Sequence, residues 1–218
     1  MTSTRRVIGV DESGKGDFFG PLVIASFLSS DADLKILSDA GVRDGKGISE
    51  NRLLQIDLYL RQNYQYSVTV ISPHDYNRRY KKIRNLNKLL AEGHAEVIDD
   101  LSRREEADLA ISDKFGKTEL VESALARLGC DIDLKQMVRG EKVLQVAAAS
   151  IMARAEFIRQ MKDLSTEYTM EIPRGAAAHV DAAGRKLVSL FGVEVLSKVA
   201  KLHFKNYQRV VNPDLFAR

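Results

Sequence analysis

Val7-Ile8-Gly9-Val10-Asp11-Glu12-Ser13-Gly14-Lys15-Gly16-Asp17-Phe18-Phe19-Gly20-Pro21-Leu22-Val23 is the stretch on which the reading of this chain turns. A β-branched apolar run ends on two adjacent carboxylates, a glycine-broken turn carrying one lysine follows, and a second apolar run, Leu22 to Phe27, comes next. That is a strand, a functional turn and a second strand. An unpaired carboxylate beside a low-dielectric core costs several kcal/mol, comparable to a domain's whole stability margin. A divalent cation is the natural compensation for Asp11 and Glu12. Glycines 14 and 16 let backbone approach a ligand closely, and the bare N–H groups of such a turn suit phosphate or sugar oxygens. A strand ending in an ordinary solvated turn accounts for the same residues. A phosphate loop does not: Gly16 stands where a Ser or Thr hydroxyl should hold magnesium, and two carboxylates would repel a triphosphate.

Composition bounds the rest. A chain of 218 residues can bury one sizeable core, and no Pro/Gly/Ser-rich linker interrupts it, so a single domain over 1–218 is expected. A formal charge of +3 and a pI near 8.9 permit a polyanionic partner without demanding one. One cysteine, Cys130, excludes an intramolecular disulfide and a cysteine-rich zinc site, which a reducing cytoplasm would tolerate. The histidines at 74, 94, 179 and 203 have no metal-ligand spacing, and no run approaches the ~20 apolar residues of a membrane span. A soluble, cytoplasmic, monomeric protein is expected.

Downstream, alternating strands and helices give an α/β pattern. Asp31 to Ser38 reads as short helix or irregular chain, and Gly41 to Gly47 as a glycine-rich loop. Ser49 should cap a helix to about residue 63, and Tyr66 to Ile71 a strand closed by Pro73. Residues 76–84 hold five cations among two tyrosines, suited to phosphate contact or to a solvated basic turn. A long helix from Asn85 to about Arg104 precedes Ala107 to Gly116, a strand that ends on Asp113 in the manner of the first. In open α/β sheets ligands bind beyond such ends, so Asp113 can face Asp11; a helix-preceding cap is the plain alternative. A helix over 118–128 and a strand over 134–138 come next. Glu141 then precedes an alanine-rich helix, Val146 to Arg154, whose Ser150 and Arg154 share a face. That helix is either part of the site or simply tightly packed core. Asp181 should cap a helix toward Leu190, and a last helix should reach about Leu202.

Asp11-Glu12-Ser13-Gly14-Lys15-Gly16-Asp17-Phe18-Phe19-Gly20-Pro21-Leu22-Val23 resembles the first motif of the type 2 ribonucleases H, specifically ribonuclease HIII. Asn85-Leu86-Asn87-Lys88-Leu89-Leu90, Gly93-His94 and His203-Phe204-Lys205-Asn206 extend the likeness from about residue 7 to residue 206. The resemblance implies a ribonuclease H-like fold, a mixed central sheet flanked by helices with a helical C-terminal portion. It further implies an endonuclease that cuts the RNA strand of RNA/DNA hybrids, leaving 5′-phosphate and 3′-hydroxyl ends. Asp11, Glu12, Asp113 and Glu141 become the four catalytic carboxylates, holding Mg²⁺ or Mn²⁺, two ions in all. Hard oxygen donors without His or Cys agree with that choice. Ser13, Gly14, Lys15 and Gly16 would meet the RNA strand, with Lys46, Ser150 and Arg154 as further substrate contacts.

Two departures bear on this. Asp44-Gly45-Lys46 keeps the lysine of the family's Asp-Ser-Lys loop but loses its hydroxyl. Ribonuclease HIII usually carries an N-terminal substrate-binding domain, whereas six residues precede the first strand here, so hybrid binding is expected to rest on the catalytic domain or on another chain. A non-catalytic hybrid binder on the same fold is the competing expectation, although clustered negative charge does nothing for binding a polyanion.

Overall fold

The computed structural model describes residues 4–43 and 47–213, so Asp44, Gly45 and Lys46 lie outside the described residues. Five strands form one sheet: β1 (Arg6–Ser13), β2 (Leu22–Ser30), β3 (Gln65–Ile71), β4 (Leu109–Asp113) and β5 (Leu134–Met137), in the order β3-β2-β1-β4-β5. The described α-helices are α1 (Leu34–Asp39), α2 (Glu50–Asn63), α3 (Pro73–Ile83), α4 (Leu86–Arg104) and α5 (Glu119–Leu128). They continue with α6 (Leu144–Glu167), α7 (Ala178–Phe191), α8 (Leu196–Val199) and α9 (Lys205–Val211). The chain divides into two compact units, one from residues 1–13, 23–69 and 85–155 and the other from 14–22, 70–84 and 156–218.

The first unit holds the sheet. β1 runs antiparallel to β2, from Arg6↔Ser30 to Ser13↔Val23, and parallel to β4, from Val7↔Leu109 to Val10↔Ser112. β4 runs parallel to β5. β1 is therefore the central strand of a mixed sheet, and its C-terminal end emerges beside that of β4. Eight of the nine residues of β2 are buried, which is why that strand reads as a near-continuous apolar run rather than an alternating one. α4 covers one side of β1 through its buried stripe Leu90, Val97, Ile98 and Leu101, and the Ser26 hydroxyl donates to the Val97 carbonyl at 2.8 Å. Val7, Leu109, Ile111 and Val146 form a cluster that seats the start of α6 on β1 and β4.

The second unit is helical, apart from the turn that follows β1. Residues 76–83 of the basic segment belong to α3 rather than to a turn, and Arg84 follows the helix: Pro73 opens it at its first position, and the Ser72 hydroxyl accepts from the Asp75 N–H at 3.1 Å. Asn77 on α3 donates to the Ala200 carbonyl at 2.8 Å and accepts from the Leu202 N–H at 2.9 Å. Asp181 is no cap. It lies inside α7, is buried, and takes the Arg209 guanidinium at 2.7 Å together with the Asn206 amide. Where one last helix to about Leu202 is expected, the structure has only the short α8, and a further helix, α9, follows it.

Candidate active site

Gly9 sets how deeply α6 seats. A Cβ at that position would collide with the carbonyl group of Gln145 and the nitrogen of Val146, so only glycine allows the helix backbone onto the strand. From there two periodicities run side by side. Two residues along a strand advance about 6.7 Å and four along a helix about 6.0 Å, so contact between Gly9 and Val146 recurs between Asp11 and Ser150. The Ser150 hydroxyl donates to the Asp11 carboxylate, and Asp11 Oδ1 also accepts the Glu12 N–H at 2.8 Å.

Side chains alternate along a strand, so Glu12 leaves β1 on the face opposite Asp11, toward α4. There Glu12 Oε2 lies 3.1 Å from His94 Nε2. His94 is fully buried, its ring packs edge-on against Phe115 at 4.7 Å, and its Nδ1 has no partner. An Nε2–H donated to the Glu12 carboxylate accounts for the contact. His94 therefore holds Glu12 as a hydrogen-bond donor. No histidine spacing announces this role, because the pairing is made between a strand end and the middle of a helix.

Asp113 stands where the register of the first motif places it. Val10 pairs with Ser112, the last pair of that ladder, and Asp11 and Asp113 are the next residues along the two parallel strands, on the same face. Asp113 Oδ1 accepts the Gly140 N–H at 2.9 Å, which fixes the 3-10 turn Gly140–Lys142 against the end of β4. A Cβ on Gly140 would meet the Asp113 Cα at 3.0 Å. The tightness is also visible one residue earlier, where Arg139 takes a left-handed φ of 59°. Glu141 is thus delivered one residue from the Asp113 contact, immediately before α6. Ser150 and Arg154 lie on α6, four residues apart.

The electrostatics suit a divalent cation. Burial, then the neighbouring Glu12 charge, push the Asp11 carboxyl up to about 7, against the lowering influence of Ser150, the Glu12 N–H and His94. Among the described residues no three His, Cys, Asp or Glu side chains are gathered into a ready metal cluster. What the structure does bring together is Asp11 with Asp113 along the sheet, Gly140 with Asp113, and Glu12 with His94. An oxygen-only acidic donor set with one carboxyl kept from ionising freely fits a hard divalent ion.

The glycine turn belongs to the second unit. Gly14 is buried with φ 86°, and a Cβ there would strike the Pro21 carbonyl and approach Phe157 at 2.9 Å, so the fold itself demands glycine. Gly16 differs. It is exposed, has no positive φ, and a Cβ would meet nothing within 4 Å.

A family model described as Ribonuclease HII matches residues 8–207. This chain belongs to the ribonuclease HII family. Among curated members, ribonuclease HIII of Chlamydia abortus is 43% identical over 206 residues, which cover 93% of this chain and 69% of that protein. Ribonuclease HIII of Chlamydia trachomatis serovar D is 39% identical over 210 residues, covering 95% and 70%. Of solved structures, Bst-RNase HIII in complex with Mn²⁺ aligns with a TM-score of 0.91 at 29% identity, covering 98% of this chain and 71% of that one. Aquifex aeolicus RNase H3 aligns with a TM-score of 0.76 at 28% identity, covering 91% and 72%. The mixed five-stranded sheet with flanking helices is the ribonuclease H-like architecture of this ribonuclease HII family.

Proposed function

We propose that this chain is a divalent-metal-dependent endonuclease that hydrolyses the RNA strand of RNA/DNA hybrids, leaving 5′-phosphate and 3′-hydroxyl ends. The observation that carries the reading is the pairing of β1 with β4, which sets Asp11 and Asp113 side by side at two parallel strand ends, with Gly140 bonded to Asp113 and Glu141 next in the chain. Asp11, Glu12, Asp113 and Glu141 are the residues that would hold two ions, Mg²⁺ or Mn²⁺. Bound there, the ions would supply an activated water and neutralise charge on the leaving oxygen. Glu12, which bonds His94 in the free protein, would turn toward an ion bound beside Asp11.

The chain's own residues then have distinct tasks. Ser150 orients Asp11, and His94 holds Glu12 in reserve. Ser13, Gly14, Lys15 and Gly16 meet the RNA strand. Support for this comes from Gly16, where neither backbone angle nor internal packing calls for glycine, while close approach by a ribose 2′-hydroxyl does. Lys46, Ser150 and Arg154 are assigned to substrate phosphates on the family resemblance. The reading extends to a monomer working in the cytoplasm. Among the described residues no helix is long and apolar enough to cross a membrane, and Cys130 is free.

Labelled RNA/DNA, RNA/RNA, DNA/DNA and single-ribonucleotide duplexes, each with and without Mg²⁺ or Mn²⁺, test the assignment. Metal-dependent cutting of the RNA strand in the hybrid, with 5′-phosphate products, is expected. Tight hybrid binding without cutting under any metal would instead identify a binding protein on a nuclease fold.

A further inference from the structure

Lys201 has no solvent-accessible surface, although its side chain ends in an amine. Among the described residues it makes no ion pair. Its Nζ donates to three backbone carbonyls: Gly20 at 2.7 Å, Asp17 at 2.9 Å and Phe19 at 3.4 Å. Three protons for three acceptors leave nothing unsatisfied, and the Tyr76 ring lies over the ammonium at 5.8 Å. Burial still pushes the group down to about 7, with Asp17 opposing the shift. A methionine would fill similar volume without that penalty, so packing alone does not account for a lysine here.

All three acceptors belong to residues 17–20, the segment that begins directly after Gly16. The same segment is stitched elsewhere. The Phe18 N–H donates to the Gly175 carbonyl at 2.9 Å, the Gly175 N–H to Asp17 Oδ1 at 2.6 Å, and the Gly20 N–H to the Val199 carbonyl at 2.8 Å. The Asp17 N–H in turn closes on the Gly14 carbonyl at 3.3 Å. Asp17 is therefore both the last residue of the glycine turn and a residue that Lys201 grips. The inner end of the turn is fixed too, since Gly14 is wedged against Pro21 and Phe157.

We propose that Lys201 is a positioning residue for the Gly14-Lys15-Gly16 turn, its ammonium holding the outgoing end in the one shape that presents the turn to a ribose 2′-hydroxyl. The inference rests on the hybrid-cleaving reading and deepens it. Recognition of RNA, rather than metal binding or the chemical step, depends on Lys201.

The test compares the full chain with Lys201→Met, which keeps the volume and removes every donor, and Lys201→Gln, which keeps two. KM and kcat are measured on an RNA/DNA hybrid, together with affinity for that hybrid against a DNA/DNA duplex of the same sequence. Mn²⁺ binding and melting temperature are followed in parallel. Lys201→Met is expected to raise KM about tenfold or more with kcat within about threefold, to lose most of the preference for hybrid, and to bind Mn²⁺ as the wild type does. Lys201→Gln should fall between. A folded Lys201→Met protein with unchanged KM and preference overturns the proposal, even if it melts earlier. So does failure of both variants to fold, because Lys201 would then determine the fold rather than the turn. A wild-type chain that cuts no hybrid would sink the functional reading itself, a result separable from either of these.

Discussion

Asp11→Asn should abolish hybrid cleavage, by on the order of 10³-fold or more, and at the same time make the metal-free protein more stable. The two effects share one cause. In the folded chain the Asp11 carboxyl is pushed up to about 7 by burial and by Glu12, against about 3.9 in an unfolded chain. A raised native value means that the folded state holds this proton more tightly than the unfolded state. The resulting stability is fully present below about pH 4 and is lost as pH rises through 7. At pH 8 the wild type therefore buries an unneutralised charge. That difference sets a ceiling of about 4 kcal/mol, and because Asp11 keeps some exposure about 2 kcal/mol is expected. Asparagine removes that cost. Melting curves at pH 8 without metal should place Asp11→Asn several degrees above the wild type, with the gap narrowing as pH falls through 7 and closing near pH 4, and with Mn²⁺ raising only the wild type. An equal or lower melting temperature at pH 8 would show that Asp11 is already compensated in the free protein.

Gly9→Ala should be the most damaging single-methyl change in the first unit. The added carbon would overlap the Gln145 carbonyl group and the Val146 nitrogen, backbone atoms that can move only if the start of α6 moves with them. A loss of more than about 4 kcal/mol is expected. Any protein that still folds should have Ser150 drawn off Asp11 and reduced cleavage. Gly16→Ala is the matched comparison, since nothing lies within 4 Å of the new carbon. It should fold with an unchanged denaturation midpoint and lose hybrid affinity. Equal stability of Gly9→Ala and Gly16→Ala in urea titrations would contradict the packing described for β1 and α6.

The parts of this arrangement that the sequence carried are those written in local pattern. Apolar runs ending on Asp11 and on Asp113 announce strand ends, and pairing between them needs only the common parallel register. Other features are written in contacts between distant segments. His94 is one histidine in a helix stripe, and only the packing of α4 over β1 brings it to Glu12. Lys201 defies the rule that lysines are exposed, so composition points the wrong way. The α3 helix was obscured by its own cations, five of them in seven residues masking the turn-forming Ser72 and Pro73 as the start of a helix rather than the end of a strand. Asp181 looks like a cap because caps and buried ion-pair acids are the same residue type; its partners Asn206 and Arg209 lie 25 and 28 residues away. The alanine-rich helix, by contrast, continues past Arg154 to Glu167 on a stripe of Ala155, Phe157, Ile158 and Met161 that was legible all along.

Mn²⁺ binding tests most directly whether acids far apart in the chain act as one cation site. Titration followed by electron paramagnetic resonance would count free ion against the wild type, Asp113→Asn and Glu141→Gln, each first checked for an intact fold. Both variants are expected to bind Mn²⁺ at least about tenfold more weakly than the wild type, although they lie more than a hundred residues from Asp11. Wild-type affinity in both would contradict a shared site and leave Asp11 and Glu12 to hold metal on their own.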